Sequence, residues 1–325
     1  MHGTRVEGLD LPISQLVLGT MAFGDTVDAD GAASMVDAAL DAGVTVIDTA
    51  NGYAGGASEE ILASLLPKRR NSFLLATKAG IPHPDAGEYP PLSAAGLHRS
   101  VHGSLRRLGV DRIDLFYLHQ PDRATPVQET MGAIAELVQQ GTIGALGVSN
   151  FAAWQISELN HAADAIGTPR PVVAQQLFNL VARRIEEEYV EFAATTGLLT
   201  MVYNPLGGGL LTGKHNFTEM PAEGRFGSSK LADMYKKRYW DQRLFAAIDL
   251  LKEISNSNGI TLVELSLRWL ISQRAVGAIL LGASGVEQMQ FNIRVAQEGP
   301  LPAEIVAACD DVGKMLRGPM SSYNR

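Results

Sequence analysis

The run Val44-Thr45-Val46-Ile47-Asp48-Thr49-Ala50-Asn51-Gly52-Tyr53 decides how this chain is read. Four β-branched residues in succession favour a pleated strand buried on both faces. The strand ends in a carboxylate, a glycine and a tyrosine follow, and Ala54-Gly55-Gly56-Ala57-Ser58-Glu59-Glu60 opens a helix. An apolar scaffold thus delivers polar groups to one end of a strand–loop–helix unit.

The unit recurs on both sides. Before it, Leu16 to Thr20 reads as a short buried strand, followed by a helix from about Asp30 to Asp41 that Gly43 stops. Its own helix, Ser58 to Leu66, is closed by Pro67. Strand Phe73 to Lys78 leads through a proline-rich loop, Ile81 to Leu92, to a helix that Ser93 caps. Strand Asp114 to His119 precedes a helix from Pro126 to Gln140, strand Ile143 to Val148 a helix from Ala152 to Ala165, and strand Val172 to Gln176 a helix from about Glu186 to Thr196. Strand Leu199 to Tyr203 is followed by a long irregular loop and helices near Asp241 to Ser255 and Leu262 to Ser272. Strand Gly277 to Leu281 and helix Val286 to Ala296 end the series, and Ala303 to Met315 adds a terminal helix behind Pro302.

Eight such units without a linker predict one α/β domain over residues 1–325, a (β/α)8 barrel of the TIM type. The doubly wound alternative calls for Gly-x-Gly-x-x-Gly after the first strand, which is absent there. Thr4 to Ser14 is expected to form a small hairpin turning at Gly8-Leu9-Asp10 and plugging the barrel bottom. The extra C-terminal helices lie outside the repeat.

Composition narrows the function classes. The chain of 325 residues is 46% hydrophobic and 19% charged, with net charge −8 and no basic cluster, which argues against nucleic acid as a partner. No apolar run suits a membrane helix, and Met1 to Asp10 lacks the apolar core of a signal peptide. Cys309 is the single cysteine, which suits a reducing, cytoplasmic setting. Nothing in the sequence speaks to oligomeric state.

In such barrels the chemistry sits at the C-terminal strand ends. Strand two delivers Asp48 and, five residues on, Tyr53; strand three ends in Lys78 and strand four in His119. Free tyrosine is a weak acid at neutral pH. An ammonium beside it stabilises the phenolate and lowers its pKa, and a carboxylate behind the lysine keeps the lysine charged and aimed. Imidazole can orient a carbonyl by hydrogen bonding. The group suits proton transfer to an oxygen. It contains no activated serine or cysteine and no cluster of metal ligands; His98 and His102 at helical spacing lack a carboxylate partner and the HExxH pattern.

Over almost its whole length the chain resembles the aldo-keto reductases, nearer the bacterial and potassium-channel β-subunit-like branch than the aldose reductase branch. The matching stretches are Leu18 to Gly24 (LGTMAFG), Asp48 to Tyr53 (DTANGY), Ala76-Thr77-Lys78, Asp111 to Asp122 (DRIDLFYLHQPD), Gly147 to Phe151 (GVSNF), Tyr203 to Leu206 (YNPL) and Leu281 to Ser284 (LGAS). The resemblance implies an NADPH-dependent reductase of small-molecule aldehydes or ketones, with NADH as the alternative hydride donor. Tyr53 is then the general acid, Lys78 and Asp48 tune it, and His119 orients the substrate; histidine there accompanies carbonyl reduction, glutamate the reduction of carbon–carbon double bonds. Ser149, Asn150 and Gln175 would bond the nicotinamide carboxamide, with Tyr203 stacked on its ring. Gly19, Thr20, Met21, Asp48, Asn204 and Pro205 would line the cofactor surface. Leu206, Gly207, Gly209, Lys214 and Arg225 are expected at the pyrophosphate, and Gly282, Ser284, Gln288 and Asn292 at the adenosine ribose and its 2′-phosphate. Two departures touch cofactor choice: Phe291 stands where an acid is common, and Gln288 where some members have arginine. A third, Gly144-Ala145 in place of a basic residue entering strand five, lies outside the chemistry.

Each residue also has an ordinary role open to it. Asp48 can cap a turn, Lys78 can simply pair with it, Tyr53 and His119 can be packed, and Gly207-Gly208-Gly209 can be a flexible loop; their arrival at adjoining strand ends favours chemistry. A cofactor-binding sensor or regulatory subunit and an NAD(P)+-dependent sugar or alcohol dehydrogenase are the alternatives. Met21, Phe23, Tyr89, Phe151 and Trp154 are expected to wall the substrate pocket, with Pro82 to Pro91 as a lid. His83 and Arg123 are read chiefly as solvated loop charges.

Overall fold

The computed structural model describes residues 3–67 and 69–319. Eight parallel strands close into a barrel: β3 (Leu16–Gly19), β4 (Val46–Asp48), β5 (Leu74–Ala79), β6 (Ile113–Leu118), β7 (Ile143–Ser149), β8 (Val173–Leu177), β9 (Leu199–Tyr203) and β10 (Ala278–Leu281), which pairs back onto β3. The strand alternation sorts their side chains. Val46, Leu74, Ala76, Leu115, Tyr117, Ala145, Val173, Met201 and Ala278 form the barrel interior. Their neighbours Ile47, Leu75, Phe116, Leu146, Ala174, Val202 and Ile279 pack outward under the helices. Both faces are covered, which is why the strands read as unbroken apolar runs.

The surrounding helices are α1 (Ala29–Asp41), α2 (Ala57–Leu65), α3 (Ala94–Leu108), α4 (Val127–Gln139), α5 (Ala153–Ile166) and α6 (Tyr189–Thr196), then α7 (Ala232–Tyr239), α8 (Gln242–Ser257), α9 (Leu262–Ser272), α10 (Val286–Gln297) and α11 (Ala303–Arg317). Their starts follow capping chemistry. Asp28 accepts from the Gly31 N–H at 2.9 Å, so α1 begins one residue earlier than expected. Ser93 caps α3 through the Gly96 N–H, and Gly109 ends it in the left-handed region.

Three expectations change. The helix expected from Glu186 to Thr196 is a 3-10 turn, Arg184–Glu187, followed by α6. The hairpin keeps only two paired positions, β1 (Gly3–Thr4) against β2 (Ile13–Ser14), because Val6, Leu9 and Leu11 leave the ladder to pack under the barrel interior. The long loop after β9 contains a helix, α7, whose buried face is Ala232, Tyr235 and Tyr239.

Candidate active site

Two residues beyond Val46 and Val173 the inward register reaches Asp48 and Gln175, and two beyond Ala76 it reaches Lys78. The interior of the barrel is therefore apolar below and charged at the rim. Lys78 is 1% exposed and Asp48 fully buried. The Lys78 Nζ donates to Asp48 Oδ1, to the Thr49 carbonyl at 2.8 Å and to the Tyr53 hydroxyl at 3.2 Å. Three acceptors match the three protons of an ammonium. Gln175 Nε2 donates to the other Asp48 oxygen at 2.5 Å. The His119 ring stands edge-on to the Tyr53 ring with centroids 6.0 Å apart, and its buried Nδ1 has no partner.

These contacts set the charge states. Burial pushes the Asp48 carboxyl up, and Lys78 and Gln175 oppose it. Burial alone would lower the Lys78 pKa, but the Asp48 charge and Tyr53 oxygen outweigh it, and the ammonium is held charged above its ordinary value. Tyr53 departs from the expectation. Burial raises its pKa, and Lys78 only partly offsets this, so the phenol is held as the protonated acid. Burial, with Lys78 beside it, lowers His119 to about 3 and keeps the imidazole neutral.

The rim carries backbone strain. Among the described residues, Ala54, Asn150 and Asn204 are the non-glycine positions with positive φ, at 49°, 63° and 62°. Asn150 and Asn204 directly follow strand ends and Ala54 directly follows Tyr53, and such conformations collect at functional sites. Asn150 sits among the expected carboxamide ligands: its Nδ2 donates to the His119 carbonyl at 2.9 Å and to Ser149 Oγ at 3.1 Å, and its Oδ1 accepts from Tyr203 OH at 2.6 Å. Ser149, Asn150, Gln175 and Tyr203 thus converge beside the tetrad.

The remaining expected cofactor residues fall differently. Thr20 is buried and its hydroxyl bonds the Asp48 carbonyl and Ser58, so its side chain ties strand ends together. Gly19 lets Leu280 pack against its Cα, and Met21 lies half-buried on the outer core. Gly207, Gly208 and Gly209 have φ of 58°, 70° and 104°, a left-handed turn that L side chains resist, so the run is a shaped turn. Their N–H groups are engaged by the Asn204 carbonyl, Asn204 Oδ1 and the Leu206 carbonyl. Pro205 and Leu206 are buried; Lys214 is exposed. Arg225 faces Asp25 at 3.9 Å, and Ser229 Oγ donates to the same carboxylate at 3.1 Å, so the long loop is strapped to the segment after β3. Gln288 Oε1 accepts from the Ser284 N–H and hydroxyl at 2.8 and 2.9 Å, closing the start of α10. Asn292 is 1% exposed with both amide atoms unpartnered. A Cβ at Gly282 or Gly285 would meet nothing within 4 Å.

Of the expected pocket wall, Phe23 and Phe151 are spent in the outer core, while Tyr89 and Trp154 are 49% and 57% exposed. His98 pairs with Glu136 at 2.9 Å, and Arg123 is exposed. The residues missed from sequence are on α7. Tyr235 packs against Gly208 with the Arg225 guanidinium 5.6 Å from its ring centroid, Arg238 reaches Tyr203, and Tyr239 OH accepts from Asn204 Nδ2 at 2.8 Å and Asn179 Nδ2 at 3.2 Å. The signal was the spacing of Ala232, Tyr235 and Tyr239, masked by Lys236-Lys237-Arg238.

Residues 15–314 match the model of the Aldo/keto reductase family. Among similar proteins, aflatoxin B1 aldehyde reductase member 2 of Mus musculus is 35% identical over 324 residues, covering 95% of this chain and 87% of that protein. Aldo-keto reductase family 7 member A3 of Homo sapiens is 36% identical, covering 95% and 96%. A probable voltage-gated potassium channel subunit beta of Arabidopsis thaliana is 32% identical over 304 residues, 91% of each.

Proposed function

The chain belongs to the aldo/keto reductase family and is an NAD(P)H-dependent oxidoreductase acting on small-molecule carbonyl compounds; from that premise we propose that it reduces an aldehyde or ketone with NADPH, Tyr53 serving as general acid. The observation that carries this reading is the single lysine hydrogen-bonded to both Asp48 and the Tyr53 hydroxyl. A protonated phenol beside a fixed ammonium can give its proton to a carbonyl oxygen as negative charge develops there, and the ammonium then stabilises the phenolate left behind. Neutral His119 carries one ring N–H, which it can offer to the same oxygen. Asp48 acts one step back, by holding Lys78 charged.

The residues present fit a nicotinamide dinucleotide. Ser149, Asn150 and Gln175 would hold the carboxamide and Tyr203 the ring face. The buried, unpartnered Asn292 amide and the open backbone at Gly282 and Gly285 would take the adenosine end, with Ser284 and Gln288 at the 2′-phosphate. When bound, the cofactor supplies the hydride. Arg225 and Lys214 would supply positive charge to the pyrophosphate, Arg225 after release from Asp25.

Purified protein is expected to oxidise NADPH in the presence of 4-nitrobenzaldehyde. Tyr53→Phe should lower turnover by about 100-fold or more while leaving NADPH binding, read by its fluorescence, unchanged. A fully active Tyr53→Phe protein sinks the assignment of the acid. Parallel assays with NADH test the cofactor choice, because the neutral Gln288 stands where some members have arginine. Retained cofactor with no turnover across a carbonyl panel would favour a sensor instead.

A further inference from the structure

One network lies behind the site, and the tetrad does not use it. Glu59, fully buried on the first turn of α2, accepts from Thr77 Oγ1 at 2.6 Å and from Arg107 Nε at 2.8 Å. Thr77 precedes Lys78 and points to the opposite face of β5. The two remaining guanidinium nitrogens of Arg107 bond both oxygens of Asp85, at 3.0 and 2.6 Å. Asp85 belongs to loop 81–92, which follows β5. Its carbonyl accepts from Arg99 Nε at 3.1 Å, and His83 Nδ1 lies 3.1 Å from its carboxylate.

The seat of this network is built from missing side chains. A Cβ at Gly56, three residues after Tyr53, would stand 2.9 Å from Arg107 Cδ. One at Gly103 would stand 2.5 Å from the Asp85 carboxylate. The loop ends are seated the same way: a Cβ at Gly52 would meet Ile81 at 2.6 Å, and one at Gly80 would meet Leu92 at 2.7 Å and the His119 N–H at 3.2 Å. Loop 81–92 therefore packs Ile81 against Gly52, on the turn that carries Tyr53, and Leu92 against Gly80, beside the backbone N–H of His119. A bidentate guanidinium between two carboxylates fixes geometry in a way a lysine cannot.

We propose that Arg107 is a positioning residue for carbonyl reduction. One guanidinium joins the Tyr53 turn, the strand carrying Lys78 and loop 81–92 into a rigid unit, and the loop serves as a fixed wall beside Tyr53 instead of a lid. The proposal rests on the carbonyl-reductase reading, since it assigns no chemistry to Arg107 itself. Misplacing reacting groups by about 1 Å costs on the order of 100-fold in rate.

The test compares wild type with Asp85→Asn, Arg107→Gln and Arg107→Lys, using 4-nitrobenzaldehyde as substrate and Tyr53→Phe as control. In Asp85→Asn and Arg107→Gln, kcat/KM should fall by about 10- to 100-fold through both kcat and KM, with NADPH affinity unchanged. Arg107→Lys should recover part of it. Hydrogen exchange at residues 52–56 and 81–92 should quicken together in the same variants. Folded variants with wild-type kcat and KM, or losses that track NADPH affinity alone, overturn the proposal. If wild type reduces no carbonyl, the functional reading fails while the exchange data still judge the latch; unchanged protection in both segments overturns it. Asp85 is on the rim, so Asp85→Asn remains decisive should Arg107→Gln fail to fold.

Discussion

His119 is held as a neutral imidazole, and this has a thermodynamic signature. Burial, with Lys78 nearby, lowers its pKa from 6.5 to about 3. The unfolded chain takes up a proton near the first value and the folded chain only near the second. The resulting destabilisation is absent above about pH 6.5, grows as pH falls, and is complete below about 3. Urea unfolding at pH 7 and pH 4.5 should show wild type losing more stability than His119→Asn, by up to about 2 to 3 kcal/mol. Equal losses in the two proteins would contradict the assignment. Activity between pH 6 and 8 should show no titration of His119. Asp48, Tyr53, Lys78 and His119 were legible in sequence because residues at, or in the turn just beyond, the C-terminal end of a parallel barrel strand lie at the rim whatever else varies. The direction of the Tyr53 shift was not. An ammonium beside a phenol argues for a lowered pKa, and only the protein packed around the half-buried ring shows that desolvation wins. Glu59, Arg107 and Asp85 were equally hidden, because their contacts depend on two glycines that remove side chains from between them.

At the scale of elements, α7 is the piece that turns an open barrel mouth into a site. Its Tyr239 is nearly fully buried and receives the amides of Asn204 and Asn179, fixing the end of β9 where Asn204 holds a left-handed backbone. Gly208 allows the Tyr235 ring to lie where its Cβ would stand, at 2.5 Å, so the glycine turn and α7 are seated on each other. Tyr239→Phe should therefore cost about 1 to 3 kcal/mol in urea unfolding, by leaving the Asn204 amide unpaired. It should also weaken NADPH binding more than it lowers kcat, because the turn and the Arg225 strap loosen together. Unaltered NADPH affinity in a measurably destabilised variant would separate α7 from the cofactor surface. The strands were readable from apolar runs and the main helices from caps such as Ser93. Three consecutive basic residues in the last turn of α7 made it look like solvated loop. Tertiary burial of its tyrosines overrides that composition.

The whole barrel is organised about Tyr117. Its ring fills the interior because Gly147 on the next strand has no side chain; a Cβ there would lie 2.5 Å from the ring. Its hydroxyl reaches Met201 on β9 at 3.8 Å, and the Lys78 ammonium stands 5.8 Å from its ring centroid. The apolar floor of the site is thus the same set of side chains that joins β6, β7 and β9. Outside the strands the packing falls into two clusters, the larger containing Trp269 with Trp240 against it, the smaller lying under α3 to α6. If residues 1–325 form one domain, the interior must couple those clusters. Tyr117→Ala leaves a cavity between them and should cost about 3 to 5 kcal/mol. Tryptophan emission, which on unfolding reports chiefly the larger cluster because Trp154 is already 57% exposed, should shift its urea midpoint together with far-UV circular dichroism. A variant whose dichroism midpoint falls while its emission midpoint stays at the wild-type value would show the two clusters melting apart. Coincident shifts would tie the floor of the site to the stability of the whole barrel. Turnover of Tyr117→Ala with 4-nitrobenzaldehyde should then fall even at urea concentrations where it is folded, since water entering below Lys78 weakens the ammonium's hold on Tyr53.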